Sequence, residues 1–281
     1  MPKYMIFGGK GMLAYAIKTN PFFHDHIALD LPECDITNKK NIENYVNKYS
    51  PEYLINCAAY TDVAKAEMEL EKAKLVNSEA VKNLAEIACD SSLKLVHYST
   101  DFVFKGDKDI IYDEDMPTNP VNNYGLSKLR GEEYITTIIP EALIIRLSWL
   151  YGPNGKNFVS VISSLLEEKS KLDIVADQFG KTTYTIDAIE ATKNLINCKA
   201  KGIYHFANEG VCSRFQFTAK ILDILNRKKD IKCIINPIKA IEYNDQTPRP
   251  TWSILGCDKY QKTTGKNIQV WKEALTEYLL N

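Results

Sequence analysis

The chain has 281 residues, 45% of them hydrophobic, with 13 Gly and 11 Pro, which supplies a large core and excludes a disordered or fibrous protein. Lys and Arg total 35 against 36 Asp and Glu; without a positive excess to displace counterions, a nucleic-acid partner is not expected. Seven cysteines at 34, 57, 89, 198, 212, 233 and 257 form no Cys-x-x-Cys pair, which disfavours a disulfide framework or a zinc site, so no metal ligands are assigned.

Met1 to Gly9 run straight into a strand pattern without the features of a signal peptide, and no later run reaches membrane-spanning length. A cytoplasmic protein without a membrane partner is the expectation. Short apolar runs at Tyr4–Phe7, Ile27–Asp30, Tyr53–Cys57, Leu93–Ser99 and Ala142–Leu147 alternate with helical patterns. This predicts an α/β fold, a doubly wound parallel sheet of Rossmann type, with a smaller C-terminal substrate-binding lobe. In Asp62–Ala88 the apolar residues recur every three to four positions, a helix with a break or kink near Leu70. After about residue 151 the alternation weakens, with irregular stretches at 152–157, 176–185 and 244–253. The smaller lobe is expected from helices near Phe158–Glu168 and Phe215–Asn226, strands near Ile203–Phe206 and Cys233–Asn236, and a last helix near Gln269–Leu280. Residues 1–150 are thus read as the dinucleotide-binding domain, with some later segments returning to it, and 151–281 mainly as the substrate lobe.

Gly8-Gly9-Lys10-Gly11-Met12-Leu13-Ala14 follows the first strand and opens a helix, where a dinucleotide pyrophosphate meets helix-terminal amides. Gly8 and Gly11 permit the tight turn, and Lys10, Met12 and Leu13 complete the candidate phosphate site. Asp30 ends the second strand about twenty residues past the turn, where a carboxylate accepts from an adenosine ribose; this leans towards NAD over NADP. Lys10 is the local cation that would offset a 2′-phosphate. Asp35 and Ile36 are placed at the adenine edge. By itself the turn also reads as an ordinary strand-to-helix glycine turn, and Asp30 as an exposed strand end.

Tyr124-Gly-Leu-Ser-Lys128 sets a phenol and an ammonium four residues apart on one helix face. Tyrosine's ordinary pKa is about 10, and a nearby lysine charge favours the phenolate. Alone, Tyr-x-x-x-Lys is as readily a solvated helix face. Tyr98-Ser99-Thr100-Asp101 ends a strongly apolar strand upstream, where a hydroxyl can meet the phenol across a substrate carbonyl. Asn56-Cys57-Ala58-Ala59-Tyr60 uses small residues where a cofactor ribose passes close to backbone. Asn77 is either a brace for that strand end or polar helix surface. The catalytic candidates are Thr100, Tyr124 and Lys128; the cofactor candidates add Cys57, Ala58, Ala59, Asn77 and Tyr98.

Over nearly its full length the chain resembles the dTDP-4-dehydrorhamnose reductase family of extended short-chain dehydrogenases. The segments that carry the resemblance are NCAAYTDVAKAE (56–67), STDFVFKG (99–106), YGLSK (124–128), RLSWLYG (146–152), Asn157-Phe158, DQFGKTTYT (177–185) and Arg249-Pro250. The resemblance implies reduction of the C4 ketone of a dTDP-linked 6-deoxy-hexulose with hydride from NADH or NADPH, hence a nucleotide-sugar substrate. Tyr124 would donate the proton, Lys128 would bind the nicotinamide ribose and lower the Tyr124 pKa, and Thr100 would bond the ketone oxygen. Trp149 looks like the family's sugar-packing aromatic, and Asn157 and Arg249 fall near the nucleotide, with a guanidinium suited to a diphosphate. Val63, Asp101 and Phe102 complete the substrate set. Core packing for Trp149 and loop stiffening for Arg249 are the plainer alternatives.

The family has Asp where Ala64 stands, Gly where Ala14 stands and Pro where Thr182 stands. Mg2+ and a homodimer enter by family analogy alone, since no metal-ligand spacing supports either. A dehydratase would want an acid where Phe102 stands. An epimerase shares the Tyr/Lys pair, although RLSWLYG and DQFGKTTYT favour the reductase. A non-catalytic cofactor-binding regulatory subunit would keep Tyr and Lys, so Thr100, Asp101 and Trp149 discriminate against it.

Overall fold

The computed structural model describes residues 1–244 and 247–280, so two positions of the irregular 244–253 stretch and the final residue of the 151–281 lobe lie outside the described residues. Six parallel strands form the central sheet: β1 (Tyr4–Phe7), β2 (His26–Leu29), β3 (Tyr53–Asn56), β4 (Lys94–Thr100), β5 (Leu143–Leu147) and β6 (Gly202–Phe206). Their spatial order is β6-β5-β4-β3-β1-β2. The chain leaves β1 in one direction and returns to its other side at β3, which opens a crevice at the strand C-termini.

Both sheet faces are covered, as the continuous apolar runs require. Tyr4, Ile6, Ile55, Val96, Tyr98 and Ile145 pack on one side with the helices α1 (Met12–Thr19) and, further on, Thr185–Asn197. Met5, Phe7, Leu54, Leu95 and Ile144 pack on the other. There they meet α2 (Lys39–Tyr49), α5 (Ala80–Asp90) and α6 (Asn123–Ile138), with α3 (Val63–Met68) and α4 (Leu70–Lys74) packed on α6. A third core, including Tyr151, Val159, Phe217, Trp271 and Leu275, joins α7 (Phe158–Glu168), α9 (Arg214–Leu225) and α11 (Trp271–Leu280), while α8 (Thr185–Asn197), which touches it through Ile186, and α10 (Asp258–Thr264), through Tyr260, serve the first core.

The break expected near Leu70 falls at Glu69, which leaves helical geometry with φ −109° and ψ 42°. A π-helical turn at Leu75–Glu79 follows; its one-residue widening leaves no trace in apolar spacing. The strand near Ile203–Phe206 is a correction: it belongs to the main sheet, paired along its length with β5, because Tyr204 and Phe206 are needed in the sheet's own core. The strand expected at Cys233–Asn236 runs instead from Ile234 to Ile238.

One buried ion pair ties α6 to the sheet. Arg146 on β5 donates from Nε to Glu132 Oε1 at 3.0 Å and from NH2 to Oε2 at 2.6 Å, with both side chains 3% exposed. His205 of β6 sits 3.3 Å from the same guanidinium, and burial together with Arg146 holds it down to about 3, so it stays neutral. Among the described residues, no helix is long and apolar enough to cross a membrane.

Candidate active site

A cleft of about 820 Å3 opens at the C-terminal ends of the sheet, between the phosphate turn and the third core. At Gly8, φ is +76°, and a Cβ there would lie 2.6 Å from Ala58 N, so this position requires glycine. Gly11 is the N-cap of α1 and brings no capping side chain, which leaves first-turn amides open to a ligand. Ala14, where the family has Gly, is fully buried in the core, so the methyl is accommodated.

Asp30 is placed at the turn with its oxygens engaged: Oδ2 accepts from Lys10 N at 2.8 Å and Oδ1 from Leu31 N at 2.8 Å. Lys10 Nζ donates to the carbonyl of the next residue, Leu31. Asp35 lines the cleft, but its Oδ1 accepts from the backbone N and hydroxyl of Thr37, so it shapes the loop around Ile36. Asn154 and Gly155, which sequence reading passed over, cover the turn: Asn154 Nδ2 donates to Lys10 O at 3.0 Å and Gly155 abuts Met12. No short polar motif marks that contact in the sequence.

On the opposite wall, Asn122 caps α6 by accepting from Gly125 N at 2.8 Å, which fixes Tyr124 in the first turn. Gly125 has no room for a Cβ against the Phe102 carbonyl, so this helix end is pressed onto the tip of β4. The Phe102 ring meets Tyr124 edge-on at 5.5 Å. Burial pushes the Tyr124 phenol up to about 12, the Thr100 hydroxyl beside it pulling the other way and Asp101 adding to the rise. The phenol is therefore protonated at neutral pH.

Lys128 Nζ donates to Tyr98 O at 2.7 Å and lies 3.3 Å from His97 Nε2. Nζ is thus held on the β4 backbone, and Lys128 is not among the groups that shift the Tyr124 phenol here. Tyr98 offers the cleft backbone only, since its hydroxyl bonds Thr192 at 2.9 Å in the core. Asn77 is a brace and does not line the cleft: it accepts from Tyr60 N and donates to Tyr60 O and Ser127 Oγ, holding the β3 tip against α6. Cys57, Ala58, Ala59 and Val63 line the cleft as expected.

Trp149 adopts φ +43°, a left-handed conformation rare outside glycine. Its ring is wedged where a Cβ on Gly180 would lie 2.5 Å from Cε2, so the DQFGKTTYT segment needs its glycine for the indole. The Arg214 guanidinium, unforeseen from sequence, covers that ring at 3.6 Å and Phe158 at 4.8 Å. Among the described residues it donates no hydrogen bond, leaving its fork facing the cleft. Arg249 lines the same wall. Asn157 lines the cleft as expected and also caps α7, where Nδ2 donates to Gly152 O and Gly155 O and orders the covering loop. The Asp101 carboxyl is 1% exposed and raised to about 6, by burial first. Among the described residues, no cluster of His, Cys, Asp or Glu could hold a metal ion.

The parallel sheet, the glycine turn and the strand-tip hydroxyl beside a helix-borne Tyr and Lys define a dinucleotide-binding protein of the short-chain dehydrogenase class. Within it, the chain belongs to the RmlD substrate binding domain family, which matches residues 2–281. It is 35% identical over 281 residues to the spore coat polysaccharide biosynthesis protein SpsK of Bacillus subtilis (strain 168), covering 99% of this chain and 97% of that one. It is 34% identical to a dTDP-4-dehydrorhamnose reductase of Aggregatibacter actinomycetemcomitans, covering 98% and 97%. The solved dTDP-4-dehydrorhamnose reductase of Bacillus anthracis str. Ames, in complex with NADP, superposes with TM-score 0.94 at 34% identity, covering 100% of this chain and 99% of that one.

Proposed function

We propose that this chain is a nicotinamide-dependent oxidoreductase that reduces the C4 ketone of dTDP-4-dehydro-6-deoxy-L-mannose to dTDP-L-rhamnose. The observation that carries the reading is the pairing, across one cleft, of the Thr100–Tyr124 proton site with the Trp149–Arg214–Arg249 wall. NADH or NADPH supplies the hydride when bound. Tyr124 gives its phenolic proton to the ketone oxygen, which the Thr100 hydroxyl holds in place. Asp101 accepts from a sugar hydroxyl, Trp149 packs on the C–H face of the pyranose, and Arg249 and Arg214 take the diphosphate. Gly8 through Leu13 hold the cofactor pyrophosphate. The cofactor half is residues 1–150 with α8 and β6 returned to it, and most of the remaining chain serves the substrate. The test is loss of reduced-nicotinamide absorbance with the dTDP-ketosugar; no consumption with either cofactor would overturn the reading.

Asp30 favours NADH, because a 2′-phosphate placed beside its carboxylate is repelled and only Lys10 offsets the charge. Asp30→Ala is expected to move the NADPH/NADH ratio of kcat/KM upward by about tenfold, roughly 1.4 kcal/mol. An unmoved ratio would show that the carboxylate does not read the ribose.

Arg214→Met should weaken dTDP binding by about 10–100-fold, from roughly 1.5–3 kcal/mol per charge-assisted hydrogen bond, and leave thymidine binding nearly unchanged. Calorimetry with the two ligands checks this. Equal losses for both would mean that Arg214 only props up Trp149.

A further inference from the structure

A buried polar chain lies beneath the site and ends on Lys128. Asn56, His97 and Lys128 are 1%, 0% and 2% exposed, so water has little access to relieve a mismatched donor. Ala58 N donates to Asn56 Oδ1 at 3.1 Å, which fixes the orientation of that amide. Its Nδ2 then faces His97 Nδ1 at 3.0 Å. An amide NH2 only donates, so Nδ1 accepts, and the single proton of a neutral imidazole sits on Nε2. His97 is neutral whichever form Lys128 takes, because burial is the main cause that holds it well below its ordinary value, and a charge on Lys128 lowers it further. On the far side, Nε2 lies 3.3 Å from Lys128 Nζ, which also donates to Tyr98 O. An N–H aimed at an ammonium sets two donors face to face; aimed at an amine, it makes a hydrogen bond.

We propose that His97 is a positioning residue for Lys128: with its proton fixed on Nε2 by Asn56, it presents a donor to Nζ and so favours the neutral amine in the ligand-free protein. Protonating Lys128 moves the His97 proton from Nε2 to Nδ1 and turns the Asn56 amide over, which releases the Ala58 N–H on the cleft wall. The charge on Lys128 is thereby linked to a backbone donor facing the proposed cofactor. Burial brings Lys128 down to about 8, opposed by Glu132 on its own helix and Cys57 at the tip of β3. Among the described residues, His97 on β4 also lies against it, and Tyr124 shares its helix face.

The test rests on the proposed site only in taking Lys128 as a working residue, and its main readout needs no turnover. The imidazole 15N signals of the full ligand-free protein are followed from neutral to alkaline pH, with His97 assigned by its loss in His97→Gln. The Nε2–H tautomer is expected to appear with the neutral amine, at one shared midpoint. His97→Leu removes the donor and should raise the Lys128 midpoint by about one pH unit or more, as expected for one hydrogen bond. His97→Gln can accept from Asn56 and donate to Lys128, and should keep the midpoint within about half a unit. An Nδ1–H tautomer throughout, or the same Lys128 midpoint in wild type and His97→Leu, would overturn the proposal. If His97→Leu does not fold, the wild-type tautomer decides. A protein inactive on the ketosugar that still shows the shared midpoint would refute the activity alone.

Discussion

Tyr124→Phe is expected to lose about 10^2–10^4-fold in kcat, the usual contribution of a positioned general acid, while cofactor affinity stays within a few-fold. The phenol is raised to about 12, so wild type holds the proton at neutral pH and the variant has none to give. The ring remains, and with it the edge-on contact to Phe102 at 5.5 Å that seats the helix end. Steady-state kinetics beside a cofactor titration separates the two effects. Turnover within a few-fold of wild type would assign the proton to another group, and lost cofactor binding would show that the substitution disturbs the cleft itself.

Glu132→Leu is expected to cost about 3–5 kcal/mol of stability, the usual consequence of stripping one partner from a buried ion pair. Arg146 would be left with its charge in a space where both partners are 3% exposed, against a His205 held neutral. At roughly 2–4 °C per kcal/mol for a chain of this size, the melting temperature should fall by about 10 °C. The double variant Glu132→Leu/Arg146→Met should recover most of that loss, since it removes the stranded charge as well. A single variant that melts within about 2 °C of wild type would mean that the pair contributes little to holding α6.

The sheet was legible because its strands are buried on both faces and announce themselves as unbroken apolar runs, as Tyr4–Phe7 does. Residues 202–206 were harder to place, because a strand's sequence carries its burial and not its neighbour; only the pairing with β5 assigns it to the main sheet. Tyr124, Thr100 and the glycine turn were readable since their chemistry depends on local spacing. Arg214 was not, because its meaning lies in a ring 65 positions earlier that it covers at 3.6 Å. Asn77, read both as a brace and as a cofactor contact, braces Tyr60 and Ser127, and Asn157, assigned to the substrate by segment, gives its amide to backbone groups on the cleft wall, a capping role visible only in three dimensions.

The place of β6 at one end of the sheet order bears on how the molecule comes into being during synthesis. Residues 202–206 emerge long after β5, whose outer edge waits unpaired while some fifty-five intervening residues are made. An open parallel edge is a template for unwanted pairing between nascent chains. A gene cut after residue 150 would leave that edge of β5 without its partner strand, and the shortened product is expected to aggregate.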